Sequence, residues 1–208
     1  MNKILLIPGS FNPITNAHVD MALAAKKAVN ADTVYFIPAH NTYVAKKKTL
    51  IPGCRRVSLI NSAPSCKQNN MRALDIETTS PFPQRTYNTI TQLRNEAEKN
   101  HKFNEYYICL GMDNIKDLTT WYNWKPLVEE YRFAACVREG KKLTEALERA
   151  GLIKYKDRFT EITIPENHIS SSLVRDLCEQ GEFNRVKELV PENVYEYLFR
   201  FYDAMNRI

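Results

Sequence analysis

The sequence contains no apolar run that approaches the ~18–20 residues a bilayer-crossing helix needs, so no helical membrane span is expected. Its opening, MNKILLIPGSFNP, carries only a short apolar stretch where a secretory core needs ~7–15 residues. No targeting segment is expected, and the expected compartment is the cytoplasm, with the nucleus left open. There is no CxxC pair. The five cysteines, Cys54, Cys66, Cys109, Cys136 and Cys178, are odd in number and widely spaced. That argues against zinc and thioredoxin-like redox chemistry and for a reducing compartment. No Gly-, Pro- or Ser-rich linker, internal repeat or low-complexity tract divides the chain, so residues 1–208 are expected to form one domain. A strong charge excess is also missing. The 29 Lys and Arg against 24 Asp and Glu leave +5, which suits an anionic small molecule better than nucleic acid. The basic residues are scattered, apart from Lys46, Lys47 and Lys48 and the pair Lys141 and Lys142. They do not interleave with the 11 tyrosines as in a single-strand binding groove. No carboxylate cluster has the density of a dedicated metal cage.

What is present is an alternation. Hydrophobic residues make up 44%, enough for a substantial core. Residues 4–7 form a continuous apolar run, as a buried parallel strand should. Further strands are expected at 33–37, 71–75, 106–110, 132–137 and 160–164. Helices are expected at 17–29, 54–63, 85–99, 124–131, 142–150, 170–180 and 192–205. Residues 38–53 read as a polar loop and 111–113 as a turn. Strands alternating with helices imply an α/β domain, a Rossmann-like, doubly wound, mostly parallel sheet with helices at the C-terminal end. Ligands in such sheets bind at the carboxyl ends of the strands. Cys109 and Cys136 lie in apolar runs and are expected to be buried fillers. Trp124 opens an apolar helix and is expected in the core.

Two loops stand out. GSFNPITNAH, residues 9–18, follows the first strand and runs into a helix. A glycine turn lets backbone approach a ligand, and free N–H groups at a helix start favour phosphate. Thr15 and His18, three apart, would share one face there. A TxxH spacing by itself is common, and a lone histidine at a helix start is more often a capping residue. The second loop, ISSSLVRD at 169–176, is expected to open the penultimate helix. Its serines suit an N-cap, and Arg175 reaches the same end with a forked donor.

GSFNPITNAH resembles the (H/T)xxH signature loop of the nucleotidyltransferase superfamily, and ISSSLVR resembles its second signature, ISSxxxR. The resemblance implies that Thr15 and His18 hold the ATP phosphates. It implies that the backbone of Gly9, Ser10 and Phe11 lines the nucleotide site, and that Ser171, Ser172 and Arg175 meet the triphosphate. Residues 38–53 are similar to a loop of the mononucleotide adenylyltransferases, which points to Lys47 at a phosphate, with Lys46 and Lys48 as neighbours. A lysine triplet is otherwise read as a solvated face. GMDNIKDLTTWYNW at 111–124 resembles the GxDxxxxxxxW segment of the nicotinate mononucleotide adenylyltransferases. Gly111 and Asp113 then approach the adenosine ribose, and Trp121 stacks on the pyridine, a cation suited to an indole face. Apart from the resemblance, Trp121 reads as core, though its neighbours are polar. RTYNT at 85–89 resembles the SYTxxT segment, with Tyr87 and Thr91 toward the pyridine substituent. Asn12 is assigned to the same mononucleotide.

The resemblance implies a reaction that joins the AMP part of ATP to nicotinate or nicotinamide mononucleotide and releases pyrophosphate. His18, Thr15, Lys47 and Arg175 would form the catalytic set. No general base is needed, because the attacking phosphate is already ionised. Magnesium is expected to arrive on ATP, with no metal-ligating residues of the protein's own. ATP and a pyridine mononucleotide are the expected partners, with neither nucleic acid nor membrane, and a homo-oligomer is left open. The rival readings are a sister transferase for another phosphorylated acceptor such as phosphopantetheine, and a non-catalytic nucleotide- or nucleic-acid-binding protein.

Overall fold

Ile4, Leu5, Leu6 and Ile7 form the middle of β1 (Asn2–Gly9) in a computed structural model that describes residues 1–44, 50–165 and 167–205. A strand that is apolar at every position must be covered on both faces. The sheet supplies that setting. Its other strands are β2 (Thr33–Pro38), β3 (Met71–Ala73), β4 (Asn104–Gly111), β5 (Arg132–Arg138) and β6 (Phe159–Ile164). All neighbours pair in parallel, in the order β3-β2-β1-β4-β5-β6. This is the doubly wound order, whose direction of winding reverses between β1 and β4. The expectation of a Rossmann-like α/β fold therefore holds, with a sheet that is parallel throughout.

The helices are α1 (Asn16–Val29), α2 (Asn41–Val44), α3 (Gly53–Ser62), α4 (Pro64–Gln68), α5 (Thr86–Lys99) and α6 (Met112–Asp117). They continue with α7 (Trp124–Glu130), α8 (Leu143–Arg149), α9 (Ser171–Glu179), α10 (Phe183–Leu189) and α11 (Glu192–Met205). Side chains alternate along a strand. Leu5 and Ile7 accordingly pack on one face with α1, α3, α9, α10 and α11. Ile4 and Leu6 pack on the other with α5, α6, α7 and α8. Among the described residues no helix is long and apolar enough to cross a membrane.

The differences from expectation lie in short elements. The helices α2 and α4 have 4 and 5 residues, too few to show a helical period, and α10 is an additional helix between those expected at 170–180 and 192–205. Because α10 exists, ISSSLVRD opens the third helix from the end. The turn expected at 111–113 is the start of α6, with Gly111 as its N-cap. Trp124 is half-buried, its ring edge-on to Tyr155 at 6.5 Å, so it flanks the core without filling it. Cys109 and Cys136 are buried as expected, with sulfurs 3.6 Å apart.

Candidate active site

The loop that leaves β1 is shaped by a phenylalanine. Phe11 has φ 44°, in the left-handed region, and this turns its ring back into the core, where it is 2% exposed. The ring stands edge-on to Phe36 and to His18, both at 5.3 Å between centroids. A Cβ on Gly9 would come 2.8 Å from Phe11 Cζ, so only glycine fits beneath that ring. Asn12 is fully buried. Its Oδ1 accepts the Ile51 amide at 2.8 Å, and its carbonyl accepts Arg175 Nη1 at 2.7 Å. Where the resemblance expects Asn12 at a mononucleotide, the structure shows its side-chain oxygen turned to the segment at residue 51, where it fastens the loop.

Thr15 is the N-cap of α1 and His18 its third residue. The Thr15 amide donates to His18 Nδ1 at 3.1 Å, and the Thr15 hydroxyl lies 2.7 Å from the same nitrogen. A main-chain N–H can only donate, so Nδ1 is an acceptor, and the neutral ring carries its hydrogen on Nε2. His18 does cap the helix, and the capping contact is what sets its tautomer. Thr15 itself is fully buried, so its hydroxyl orients the imidazole and does not stand beside it facing a ligand.

The second loop is bolted to the first. Ser170 caps α9, its hydroxyl accepting the Leu173 amide. Ser171 Oγ donates to the Pro13 carbonyl at 2.8 Å. Arg175 Nη1 donates to the carbonyls of Asn12 and Ser171, and Nη2 to Ser172 Oγ at 2.9 Å. Two segments about 160 residues apart in sequence are thus one structural unit.

Cavities open on both flanks of this unit. On the β4–β6 side, one of about 500 Å³ is lined by His18, Asp20, Met21, Arg138, Ile164 and Ser171. It adjoins another of about 430 Å³ that shares Met21, Arg138 and Ile164 and reaches Gly111, Asp113 and Cys136. A Cβ on Gly111 would meet nothing within 4 Å, so this position is open to a ligand. Asp113 is exposed and pairs with Lys116 at 3.1 Å. On the β2–β3 side, a cavity of about 330 Å³ is lined by Gly9, Ala39, Glu77, Thr86, Trp121 and Tyr122. Gly9 lines the cavity on this flank and His18 the one on the other.

Tyr87 and Thr91 are not brought to the Trp121 cavity. Residues four apart share a helix face, and on α5 that face looks toward α7. The Tyr87 hydroxyl donates to Glu130 at 3.0 Å, and Thr91 meets the Tyr131 hydroxyl at 3.4 Å. Thr86 and Arg85, at the very start of the helix, line the cavity instead. Lys47, with Lys46 and Lys48, lies outside the described residues.

Sequence reasoning passed over Arg56, Glu77 and Arg138. Arg56 is 1% exposed and donates to the carbonyls of Ser10, Ala39 and Ile51 and to Asn41 Oδ1. It ties the β1 loop to the loop after β2. Glu77 is 6% exposed and accepts the Thr89 hydroxyl at 2.9 Å. Burial lifts its pKa to about 7, against the pull of Thr89, the His40 amide and Arg56. Neither residue stands in a motif. Arg138 had a signal, a cation closing an apolar strand at its carboxyl end.

A cytidylyltransferase-like family model matches residues 6–177. A probable nicotinate-nucleotide adenylyltransferase of Dehalococcoides mccartyi is 30% identical over 94% of each chain. One of Clostridium acetobutylicum is 26% identical over 95% of this chain and 96% of its own. The Plasmodium falciparum nicotinic acid mononucleotide adenylyltransferase complexed with NaAD has a similar fold, with a TM-score of 0.74 over 98% of each chain at 23% identity. Matched over most of its length by that model, and 30% identical across 94% of it to a probable nicotinate-nucleotide adenylyltransferase, the chain belongs to the cytidylyltransferase-like family of nucleotidyltransferases, on the nicotinate-nucleotide adenylyltransferase branch.

Proposed function

We propose that this protein transfers the AMP part of ATP to a pyridine mononucleotide, nicotinate mononucleotide before its amide, and releases pyrophosphate. The observation that carries the reading is the pair of cavities flanking the carboxyl end of β1, with the Gly9 turn lining one and His18 lining the other. Two nucleotides meeting end to end need this layout. The Gly111 side takes adenosine, and the Trp121 side takes the pyridine, whose positive ring suits an indole face.

The mononucleotide phosphate attacks the α-phosphorus in line, and pyrophosphate leaves. Such transfers depend on positioning and on donors aimed where negative charge grows. His18 donates from Nε2 to a phosphate oxygen, its ring fixed by Thr15. The exposed α9 serine Ser172 and the cation Arg175 hold the triphosphate end, and the family resemblance adds Lys47 at a phosphate. Arg138 adds positive charge where the two β4–β6 cavities join. The attacking phosphate is ionised already, so no side chain serves as base. Among the described residues no group of three or more His, Cys, Asp or Glu could hold a metal, which fits a magnesium ion carried by the triphosphate, with Asp20 bringing a single carboxylate to the His18 cavity. Magnesium, when bound, neutralises triphosphate charge.

The test is to supply ATP and Mg²⁺ with either mononucleotide and follow pyrophosphate and dinucleotide by chromatography. Dinucleotide is expected with both, faster from the nicotinate form. If neither yields product while ATP still raises the melting temperature, the pyridine substrate is wrong, and another phosphorylated acceptor such as phosphopantetheine is next.

A further inference from the structure

Glu77 follows the carboxyl end of β3 and lines the same cavity as Trp121, Tyr122 and Thr86. Arg56, whose charge acts on it, donates to four other oxygens, those of Ser10, Ala39, Asn41 and Ile51. The Thr89 hydroxyl and the His40 amide hydrogen-bond the carboxyl group and hold it in place. The cavity that would take the pyridine ring therefore contains a carboxyl group that is nearly dry and fixed in position. Its effect on a ring substituent depends on its proton. An ionised Glu77 repels a carboxylate and accepts an N–H from a carboxamide. A neutral Glu77 donates to a carboxylate.

We infer that Glu77 is a specificity-determining residue of this cavity, its charge selecting between a carboxylate and a carboxamide on the pyridine ring. The inference rests on the pyridine-nucleotide reading above. Burial holds the pKa near 7, so both charge states are populated around neutral pH. The other charged or titratable groups around Glu77 come from each neighbouring element. Arg56 is on α3 and Tyr43 on α2. Arg85, at the start of α5, has its guanidinium 6.0 Å from the Tyr43 ring centroid. Tyr122 follows Trp121, and the His40 imidazole is held by the Thr42 hydroxyl at 2.8 Å.

The test is the ratio of kcat/KM for the nicotinate over the nicotinamide mononucleotide, from about pH 6 to about pH 8.5. Titration of the substrate phosphate and of groups on the ATP side acts equally on both substrates and cancels in the ratio. The ratio is expected to fall about tenfold as pH rises through ~7, and to be flat in Glu77→Gln. A flat wild-type ratio overturns the inference whether or not the variant folds. A slope that survives in Glu77→Gln also overturns it. Calorimetric binding of the two mononucleotides over the same range gives a second readout. Product from both with a flat ratio refutes only the role of Glu77, whereas no product and no binding of either refutes the pyridine reading itself.

Discussion

His18 is held by the contact that decides which of its nitrogens carries hydrogen. Its contribution is therefore separable from that of its anchor. His18→Ala is expected to lower kcat by about 100- to 1,000-fold, the size of one lost donor at a developing charge. The variant also loses the acceptor of the Thr15 amide, so a fall of about 1 kcal/mol in stability is expected beside the much larger fall in kcat. Full turnover in that variant would remove His18 from the mechanism. Thr15→Val keeps the amide contact to Nδ1 and loses the hydroxyl, so a smaller fall of about tenfold in kcat is expected from steady-state rates. Trp121→Ala should raise KM for the mononucleotide about tenfold and leave KM for ATP unchanged, because its cavity lies on the far side of β1 from Gly111.

At the scale of elements, the site depends on how β1 is joined to α1 and α9. The Gly9 turn is under steric control. Gly9→Ala places a methyl group 2.8 Å from the Phe11 ring and should cost about 1–3 kcal/mol in denaturant titration. Adding Phe11→Leu should recover part of that loss, whereas an equal loss in the double variant would show that the clash is not the cause. The strands were legible as elements because a parallel strand covered on both faces is apolar throughout, as in Ile4, Leu5, Leu6 and Ile7. Helices α1 and α5 were legible because 14 residues carry several turns of periodicity. The single-turn helices were not, and α10 displaced ISSSLVRD by one place in the helix order. Tyr87 and Thr91 were assigned to the mononucleotide by resemblance to the SYTxxT segment, at matching spacing. Spacing puts two residues on one face of α5, and packing against α7 decides where that face looks.

Across the whole molecule, burial sorts chemically similar groups into different behaviours. Cys54 is exposed, and the other four thiols are buried. One thiol is expected to react quickly with an aromatic disulfide reagent in the native protein and five after denaturation. Fast reaction of more than one would contradict the core. Glu77 links the cavity to stability. Its folded pKa is raised above the ordinary carboxylate value, so the folded state holds its proton more tightly. The stability this gives is present at low pH and is lost as pH rises from about 4.5 to about 7. Glu77→Gln should therefore raise the melting temperature at pH ~8 and change it little at pH ~5. The sequence by itself determined the parallel α/β sheet, the loop after the first strand and the capped helix carrying Arg175. Each of these depends on local signals: apolar runs, turn chemistry and caps. Only the tertiary structure decided that Ser171 meets Pro13, that Arg175 meets Asn12, and that Glu77 faces the same space as Trp121. Contacts between distant positions leave no local pattern, and a buried charge reads in sequence like any solvated one.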